Sequence, residues 1–207
     1  FGKKKTIQSH PFPLVWISLK ELLAIRPDSL SDKLFYRLIG VRHITPESVK
    51  LLSKLNYKQV LIGFESGDDA ILKAAGKGIK AEQNIMAVEL LAQYNIKMLV
   101  SWVLGLEGET EKSLKTTLAM AKQINQLGGV FYTNASILVP FPGSRAFEKL
   151  SEKTNKYAGK DVIDFAELRK DWVANFCKVD FDTIEDYQKE MLSTSLNSGM
   201  GHEIINS

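Results

Sequence analysis

Three segments of the sequence place acids, glycines or prolines directly after an apolar run. They read GFESGDD from Gly63, GLEGET from Gly105 and PFPGS from Pro140. Carboxylates accept hydrogen bonds from hydroxyls and amines, and glycines, which lack Cβ, let the backbone approach a flat ligand closely. The two prolines of the third segment make a stiff, apolar turn. This combination favours a ligand that is cationic or rich in hydroxyl groups and that carries an apolar planar part.

The second segment has the shape of a phosphate-binding loop but the wrong charge. An apolar run, a glycine-rich turn and a helix start usually bind phosphate, because the free N–H groups of the helix attract anions. Glu107, Glu109 and Glu111 would repel a phosphate, and the sequence contains neither the dinucleotide fingerprint G-x-G-x-x-G nor a P-loop. Glu109 and Glu111 also fit a structural role in the first turn of a helix, which is our preferred interpretation of Glu111.

The first segment allows two interpretations. In the functional one, Glu65 points into the ligand space and accepts hydrogen bonds. In the structural one, Ser66 or Asp68 caps a helix and Glu65 is an exposed acid near its positive end. The residue types alone leave both open.

Apolar runs and capped helices alternate along the chain and predict parallel strands in tandem βα units. The nearly continuous Val, Ile and Leu content of the runs suits strands covered on both faces. Residues typical of helix ends bound the helical segments: Thr45 and Thr110 are predicted N-caps, and Asn95 is a predicted helix end. The four runs are Phe35–Arg42, Gln59–Ser66, Met98–Gly105 and Thr133–Phe141. The pattern fits an α/β fold, either half of an eight-stranded barrel or one doubly wound sheet.

Ligands of parallel α/β folds bind at the carboxyl ends of the strands, so the three segments are expected to meet there. The first strand adds Arg42 and His43, of which pleating turns only one inward. On the third strand, Trp102 is predicted to be core, and Ser101 faces the opposite side.

The overall composition excludes several classes of protein. The formal charge of +3 is too small to indicate a surface that binds nucleic acid. We interpret the basic residues Lys3–Lys5 as a solvated tail. No apolar run approaches the length needed to span a bilayer, so we predict a cytoplasmic protein without a membrane partner. A single cysteine, Cys177, excludes an internal disulfide and any cysteine-only metal site within this chain.

Three ordered motifs resemble the C-terminal half of a radical S-adenosylmethionine (radical SAM) enzyme. They are IGFESGDDAILKAAGKGIKAEQ, LVSWVLGLEGETEKSLKTT and ILVPFPGS. The resemblance covers about residues 35–150 and is greatest to the group that contains cobalamin-binding radical enzymes and methylthiotransferases. It implies a partial TIM barrel of parallel strands that binds S-adenosylmethionine beside a [4Fe-4S] cluster and forms a 5′-deoxyadenosyl radical, with cobalamin as a further cofactor of some members.

The resemblance also implies which residues contact S-adenosylmethionine. Glu65 and Ser66 match the positions that contact the ribose or the methionine end. Gly105–Thr110 match the loop near the adenosine, and Val139–Pro142 match the strand end beside the adenine. The complete set of implied cofactor-binding residues is Arg42, Glu65, Ser66, Ser101, Gly105, Leu106, Glu107, Gly108, Val139, Pro140 and Phe141.

Two departures from the family pattern matter. Glu107 stands where the family usually has proline, which loosens the turn. The C-x-x-x-C-x-x-C motif is missing, so no metal ligand is assigned and the catalytic residues stay unknown. Because thiolates hold such clusters, this chain alone is expected neither to bind the cluster nor to be active. We interpret it as a fragment whose cluster-bearing half precedes Phe1.

The predicted organisation has three parts: an N-terminal extension or remnant of a preceding unit (1–34), the partial barrel (35–150) and a helical region with C-terminal helices (151–207). In the last part, Phe165, Leu168, Trp172 and Phe176 form an apolar stripe and Cys177 is predicted to be a small buried residue.

Two other functions remain open, and the expected partners follow from the half barrel. One alternative is a non-catalytic, degenerate barrel fragment that binds a ligand or a partner. A weaker one is a TIM-barrel lyase or isomerase that uses Glu65 with Arg42. An exposed sheet edge is a liability, so the chain is expected to dock onto its missing half, dimerise or aggregate. The substrate, small or macromolecular, is not indicated.

Overall fold

The structure is a computed structural model that describes residues 35–157 and 164–196. The predicted N-terminal unit and the Lys3–Lys5 tail lie outside these residues. The strands are β1 (Phe35–Gly40), β2 (Tyr57–Glu65), β3 (Lys97–Leu104) and β4 (Val130–Ile137). The helices are α1 (Pro46–Lys54), α2 (Asp69–Ala74), α3 (Glu82–Gln93), α4 (Glu111–Gln126), α5 (Arg145–Thr154), α6 (Phe165–Phe176) and α7 (Phe181–Leu196).

The four strands form one parallel sheet in the order β1-β2-β3-β4. This confirms the predicted α/β fold of parallel strands that alternate with helices. The prediction placed the start of β4 at Thr133, but the strand begins at Val130. Gly128 and Gly129 turn the chain with positive φ angles of 79° and 80°, and the β-forming residues that follow pair at once with β3.

Local sequence signals set the helix ends. Thr45 and Thr110 each form a capping box with the serine three residues later, and Pro46 occupies the first turn of α1. Asp68 caps α2 by accepting hydrogen bonds from two backbone N–H groups. Asn95, just beyond α3, adopts a left-handed φ of 54°, as expected of an asparagine at a helix end.

The core lies between one face of the sheet and the helices. Every second residue is buried on this side from Val60 in β2 and from Met98 in β3. Phe64 and Trp102 meet edge to face there, with ring centroids 5.2 Å apart, and both are fully buried. The prediction that Trp102 belongs to the core is therefore confirmed.

The C-terminal helices complete the molecule beside β4. α7 lies alongside β4 and α4, and Gln188 donates from Nε2 to the backbone carbonyl of Ala135, 2.8 Å away. In α6, Leu168 and Trp172 are buried, whereas Phe165 is half exposed. The predicted apolar stripe is thus core packing only in its central part.

Two observations bear on the organisation of the chain. The predicted boundary between residues 150 and 151 falls inside α5, so it does not separate two elements.

Among the helices of residues 35–157 and 164–196, none combines the length and apolar character that a membrane crossing requires.

Candidate functional site

The face of the sheet that points away from the helices is open and has an apolar lower level. Neighbouring strands align side chains at the same height, because the register pairs them directly. Leu38 remains 70% exposed and Tyr132 41% exposed, so this level lacks cover from the described residues. Its members are Leu38, Leu61, Leu99 and Tyr132.

Two glycines, a serine and an asparagine form the next level towards the carboxyl ends of the strands. The glycines stand in two neighbouring strands, so that no Cβ rises above the sheet at those two positions. Ser101 faces this open side, as predicted, and Asn134 lies beside it. The members of the level are Gly40, Gly63, Ser101 and Asn134.

Glu65 lies at the rim above these levels, in a strained backbone conformation. Its φ is 63°, and the Ser66 N–H donates to the Phe64 carbonyl at 2.8 Å, which closes a three-residue γ-turn around Glu65. The register between β2 and β3 also shifts between Gly63 and Glu65. A non-glycine residue at positive φ costs about 1–3 kcal/mol and is typical of functional positions, as are irregularities in strand pairing.

The Glu65 carboxylate pairs with a lysine that the sequence analysis missed. Lys77 Nζ lies 2.6 Å from Glu65 Oε1, and a Cβ on Gly63 would come within 2.6 Å of the same oxygen. The carboxylate therefore folds back over the glycine of the level below. Lys77 stands between Gly76 and Gly78, which have positive φ angles of 68° and 63°.

Ser66 does not join Glu65 on the open face. It is buried, and its hydroxyl lies 3.1 Å from Thr117 Oγ1 on α4. The Gly67 N–H also donates to Thr117 Oγ1, at 3.0 Å, and Asn84 donates to the Ser66 carbonyl. These contacts give Ser66 a place in the connection between the sheet and α4, so a role in cofactor binding stays a prediction without geometric support.

The loop between β3 and α4 contains a buried acid. Glu109 accepts a hydrogen bond from the Ser113 hydroxyl and is only 1% exposed. Burial raises the pKa of Glu109 from 4.5 to about 7, although hydrogen bonds from Ser113 and from the backbone of Leu106 and Gly105 lower it. Its burial and these hydrogen bonds make Glu109 an internal brace of the loop.

Among the other predicted residues of this loop, Gly105 is buried, whereas Leu106, Glu107 and Gly108 are partly buried. Glu107 is partly exposed and forms an ion pair of 2.5 Å with Lys149 of α5. Gly105 and Gly108 have φ angles of 75° and 86°, a backbone conformation that side chains disfavour.

The segment after β4 makes a second γ-turn, in which the Phe141 N–H donates to the Val139 carbonyl across Pro140, at 2.9 Å. Pro140 is buried, and Val139 is partly buried. Phe141 is 54% exposed and meets Phe165 edge to face, with centroids 5.3 Å apart.

Arg42 is exposed and lies in a short 3-10 turn after β1. Its guanidinium donates from Nε to His43 Nε2, 3.1 Å away. The structure therefore brings Glu65, Ser101 and the small residues of the sheet to one face, while the Arg42 prediction has no contact that supports it.

No group of histidines, cysteines and acids in the described part of the chain could hold a metal ion. Cys177 is partly buried, and burial, with the nearby Glu109 charge, raises the pKa of its thiol to about 12.

Comparison with known proteins identifies one family. The model of the Radical SAM superfamily matches residues 5–121, which is more than half of the chain. The match begins within the predicted N-terminal unit and ends within α4.

Two relatives with described reactions match this chain in part. The bacteriochlorophyllide d C-12(1)-methyltransferase of Chlorobaculum tepidum is 31% identical over 113 residues, which cover 54% of this chain and 24% of that protein. The anaerobic magnesium-protoporphyrin IX monomethyl ester cyclase of Rubrivivax gelatinosus is 30% identical over 115 residues, or 56% of this chain and 19% of the cyclase. An uncharacterized methyltransferase of Pyrococcus horikoshii is 33% identical over 89 residues, 43% of this chain and 18% of its own length. The chain thus spans a quarter or less of these relatives.

Two solved structures share the fold. Coproporphyrinogen III oxidase of Escherichia coli, a radical SAM enzyme, superposes with a TM-score of 0.55 at 12% identity and covers 82% of this chain and 33% of the oxidase. A radical S-adenosylmethionine methyltransferase of Kitasatospora setae, solved with cobalamin and a [4Fe-4S] cluster, gives 0.56 at 18% identity, over 65% of this chain and 27% of that one. The partial-barrel fold is thereby confirmed.

Proposed function

The chain belongs to the radical SAM superfamily, and we propose that its open sheet face is the S-adenosylmethionine-binding part of a larger radical enzyme. In that enzyme it would hold the cofactor from which a 5′-deoxyadenosyl radical is formed and directed at a substrate. The observation that carries the proposal is Glu65, an acid held in a strained turn at the rim of a sheet face whose next level consists of small residues.

The residues present fit S-adenosylmethionine. The Glu65 carboxylate offers two oxygens to the ribose hydroxyls or to the ammonium group, and Lys77, 2.6 Å away, offers a cation to the carboxylate of the methionine part. Gly40 leaves room for a flat group above the sheet, where a Cβ would meet only His43 at 3.7 Å, whereas the Glu65 carboxylate lies over Gly63. A ligand with a sulfonium and an ammonium but no phosphate also suits the acids of the β3–α4 loop.

The residues present do not fit an iron–sulfur cluster. Such clusters need several thiolates, and the chain has one cysteine. That cysteine contacts the Leu106 carbonyl, 3.5 Å from its Sγ, and its thiol has a raised pKa. We propose that the cluster ligands belong to a part of the protein, or to a partner, outside these 207 residues.

Methyl transfer is the reaction class to test first. Two of the relatives are named methyltransferases, and so is one solved structure of similar fold. The assignment to the cobalamin-binding and methylthiotransferase group, and cobalamin as a cofactor, remain proposals that the cobalamin in the Kitasatospora setae structure supports.

Calorimetric titration of the full chain with S-adenosylmethionine tests the proposal. Glu65→Gln removes the charge but keeps the shape, so binding should weaken about tenfold, since hydrogen bonds to a charged acceptor are among the stronger ones. Glu111→Gln is the matched control, because Glu111 is an exposed acid paired only with Lys115 in the ion pairs seen here.

Equal weakening by both variants would show a general charge effect and contradict the role of Glu65. A wild-type chain that does not bind S-adenosylmethionine would contradict the proposal itself.

The non-catalytic alternative is tested on protein purified anaerobically from its native source. About four irons per chain support the radical enzyme, whereas binding without iron favours a ligand-binding module.

A further inference from the structure

The loop from Gly105 to Thr110 is held by a helix that lies far along the chain and outside the family match. Trp172 of α6 donates from its indole N–H to the Gly105 carbonyl at 2.8 Å. Trp172 is 2% exposed, so water does not compete for this bond. A buried hydrogen bond of this kind fixes the direction of the carbonyl at the end of β3.

The end of α6 holds the second half of the same loop through the backbone. The Gly108 N–H donates to the Phe176 carbonyl at 2.8 Å, and the Lys178 N–H donates to the Glu109 carbonyl at 2.7 Å. This pair of bonds resembles one rung of a sheet. Together with the indole bond, it restrains the loop at its start and near its end.

Packing adds to these hydrogen bonds. The Trp172 ring stacks on Phe176 with centroids 4.3 Å apart and an angle of 21° between the planes. Val173 lies 3.5 Å from the place where a Cβ on Gly105 would be. The start of the loop thus packs against α6, and the hydrogen bonds fix three of its backbone groups.

We infer that α6 is a positioning element for the cofactor loop and that Trp172 is its main positioning residue. A loop fixed before the ligand arrives loses less conformational freedom on binding, which raises affinity without a new contact. The affinity for S-adenosylmethionine then depends on residues beyond 121, the last residue matched by the family model. For that ligand, the inference rests on the proposed function.

The test compares two Trp→Phe variants of the full chain. Trp172→Phe removes the indole N–H that binds the Gly105 carbonyl. Trp102→Phe is the control, because Trp102 is also fully buried but its indole N–H has no hydrogen-bond partner in the described part of the chain. Both variants lose similar ring volume. Amide hydrogen exchange of Gly108 and Lys178 reports on the loop, and calorimetry reports S-adenosylmethionine affinity.

With Trp172→Phe, the amides of Gly108 and Lys178 should exchange about fivefold faster, and S-adenosylmethionine should bind about fivefold more weakly. The loss of one hydrogen bond changes an equilibrium constant by about this factor. Trp102→Phe should leave both unchanged even if it lowers the melting temperature. If Trp172→Phe does not fold, benzothienylalanine at position 172 replaces the N–H by sulfur and keeps the ring volume.

Unchanged exchange of both amides in the Trp172 variants would overturn the inference, as would faster exchange with unchanged affinity or equal effects of the two Trp→Phe variants. A wild-type chain that fails to bind S-adenosylmethionine would contradict the proposed function instead. In that case the exchange data alone still decide whether α6 holds the loop.

Discussion

Replacing Glu109 by glutamine should flatten the pH dependence of stability. Burial raises the pKa of Glu109 from 4.5 to about 7 in the folded chain, while the unfolded chain keeps the ordinary value. Between these two pKa values the folded state binds more protons than the unfolded state, so the free energy of unfolding falls as the pH rises. The contribution is fully present below about pH 4.5 and is lost above about pH 7.

The size of this effect follows from the shift. Each unit of pKa corresponds to about 1.4 kcal/mol, so a shift of about 2.5 units gives about 3 kcal/mol across the window. Urea unfolding of the wild type and of Glu109→Gln, from about pH 4 to about pH 8, measures it. Glutamine keeps the size of the side chain and still accepts from Ser113, but it does not titrate.

The difference between the unfolding free energies of the wild type and of Glu109→Gln isolates the titration of Glu109, because the other titrating groups are common to both proteins. Asp68 is the charged neighbour that helps to raise the pKa of Glu109, and it is present in each. The thiol of Cys177 titrates near pH 12, outside the window. Parallel pH profiles of the wild type and the variant would refute the reasoning and show that Glu109 is solvated in the folded chain.

Three further substitutions test the structure by chemical unfolding. Thr117→Val should cost about 2 kcal/mol, because it leaves the buried Gly67 N–H without its acceptor, whereas Thr116→Val on the exposed side should change little; equal costs would contradict this. Gly67→Ala should cost about 1–3 kcal/mol, since its Cβ would lie 2.9 Å from the backbone of Thr117. Gly40→Ala, with only an ordinary contact at 3.7 Å, is its control, and a tolerated Gly67→Ala would show that α4 can move. Thr110→Ala should cost about 1 kcal/mol through loss of the cap of α4, and an unchanged midpoint would argue against the capping box.

The sequence was sufficient to predict the four strands and most of the helices, but it did not predict α5. Apolar runs and caps such as Thr45 and Thr110 act over a few residues, so their effect can be predicted without knowledge of the packing. The same local logic placed Ser101 and Trp102 on opposite faces of β3. The starts of two strands were predicted too late: β4 begins at Val130 and β2 begins at Tyr57. In β4 the first strand residues directly follow two glycines, which mask the start of an apolar run.

The site could be predicted only in part, because its other contacts join distant positions. Glu65 and Ser66 are neighbours, yet the γ-turn at Glu65 sends one side chain to the open face and the other to Thr117. Lys77 lies twelve residues beyond Glu65. The signal in the sequence was its two flanking glycines, which are typical of a loop with positive φ angles. The bond between Trp172 and Gly105 spans 67 residues, and an apolar helical stripe gives no signal for it.

The position of α7 limits how copies of this chain could assemble. Gln188 already donates a hydrogen bond to the Ala135 carbonyl of β4. β1, in contrast, pairs with β2 alone among the strands that the structure describes. Contact between β1 of one molecule and β4 of the next would repeat without end and give a filament. With the β4 side obstructed, the strand contact that remains among residues 35–157 and 164–196 is β1 against β1, which is symmetric and closes at two molecules. Self-association through the sheet should therefore stop at a dimer, so that light scattering reaches a plateau instead of rising with protein concentration.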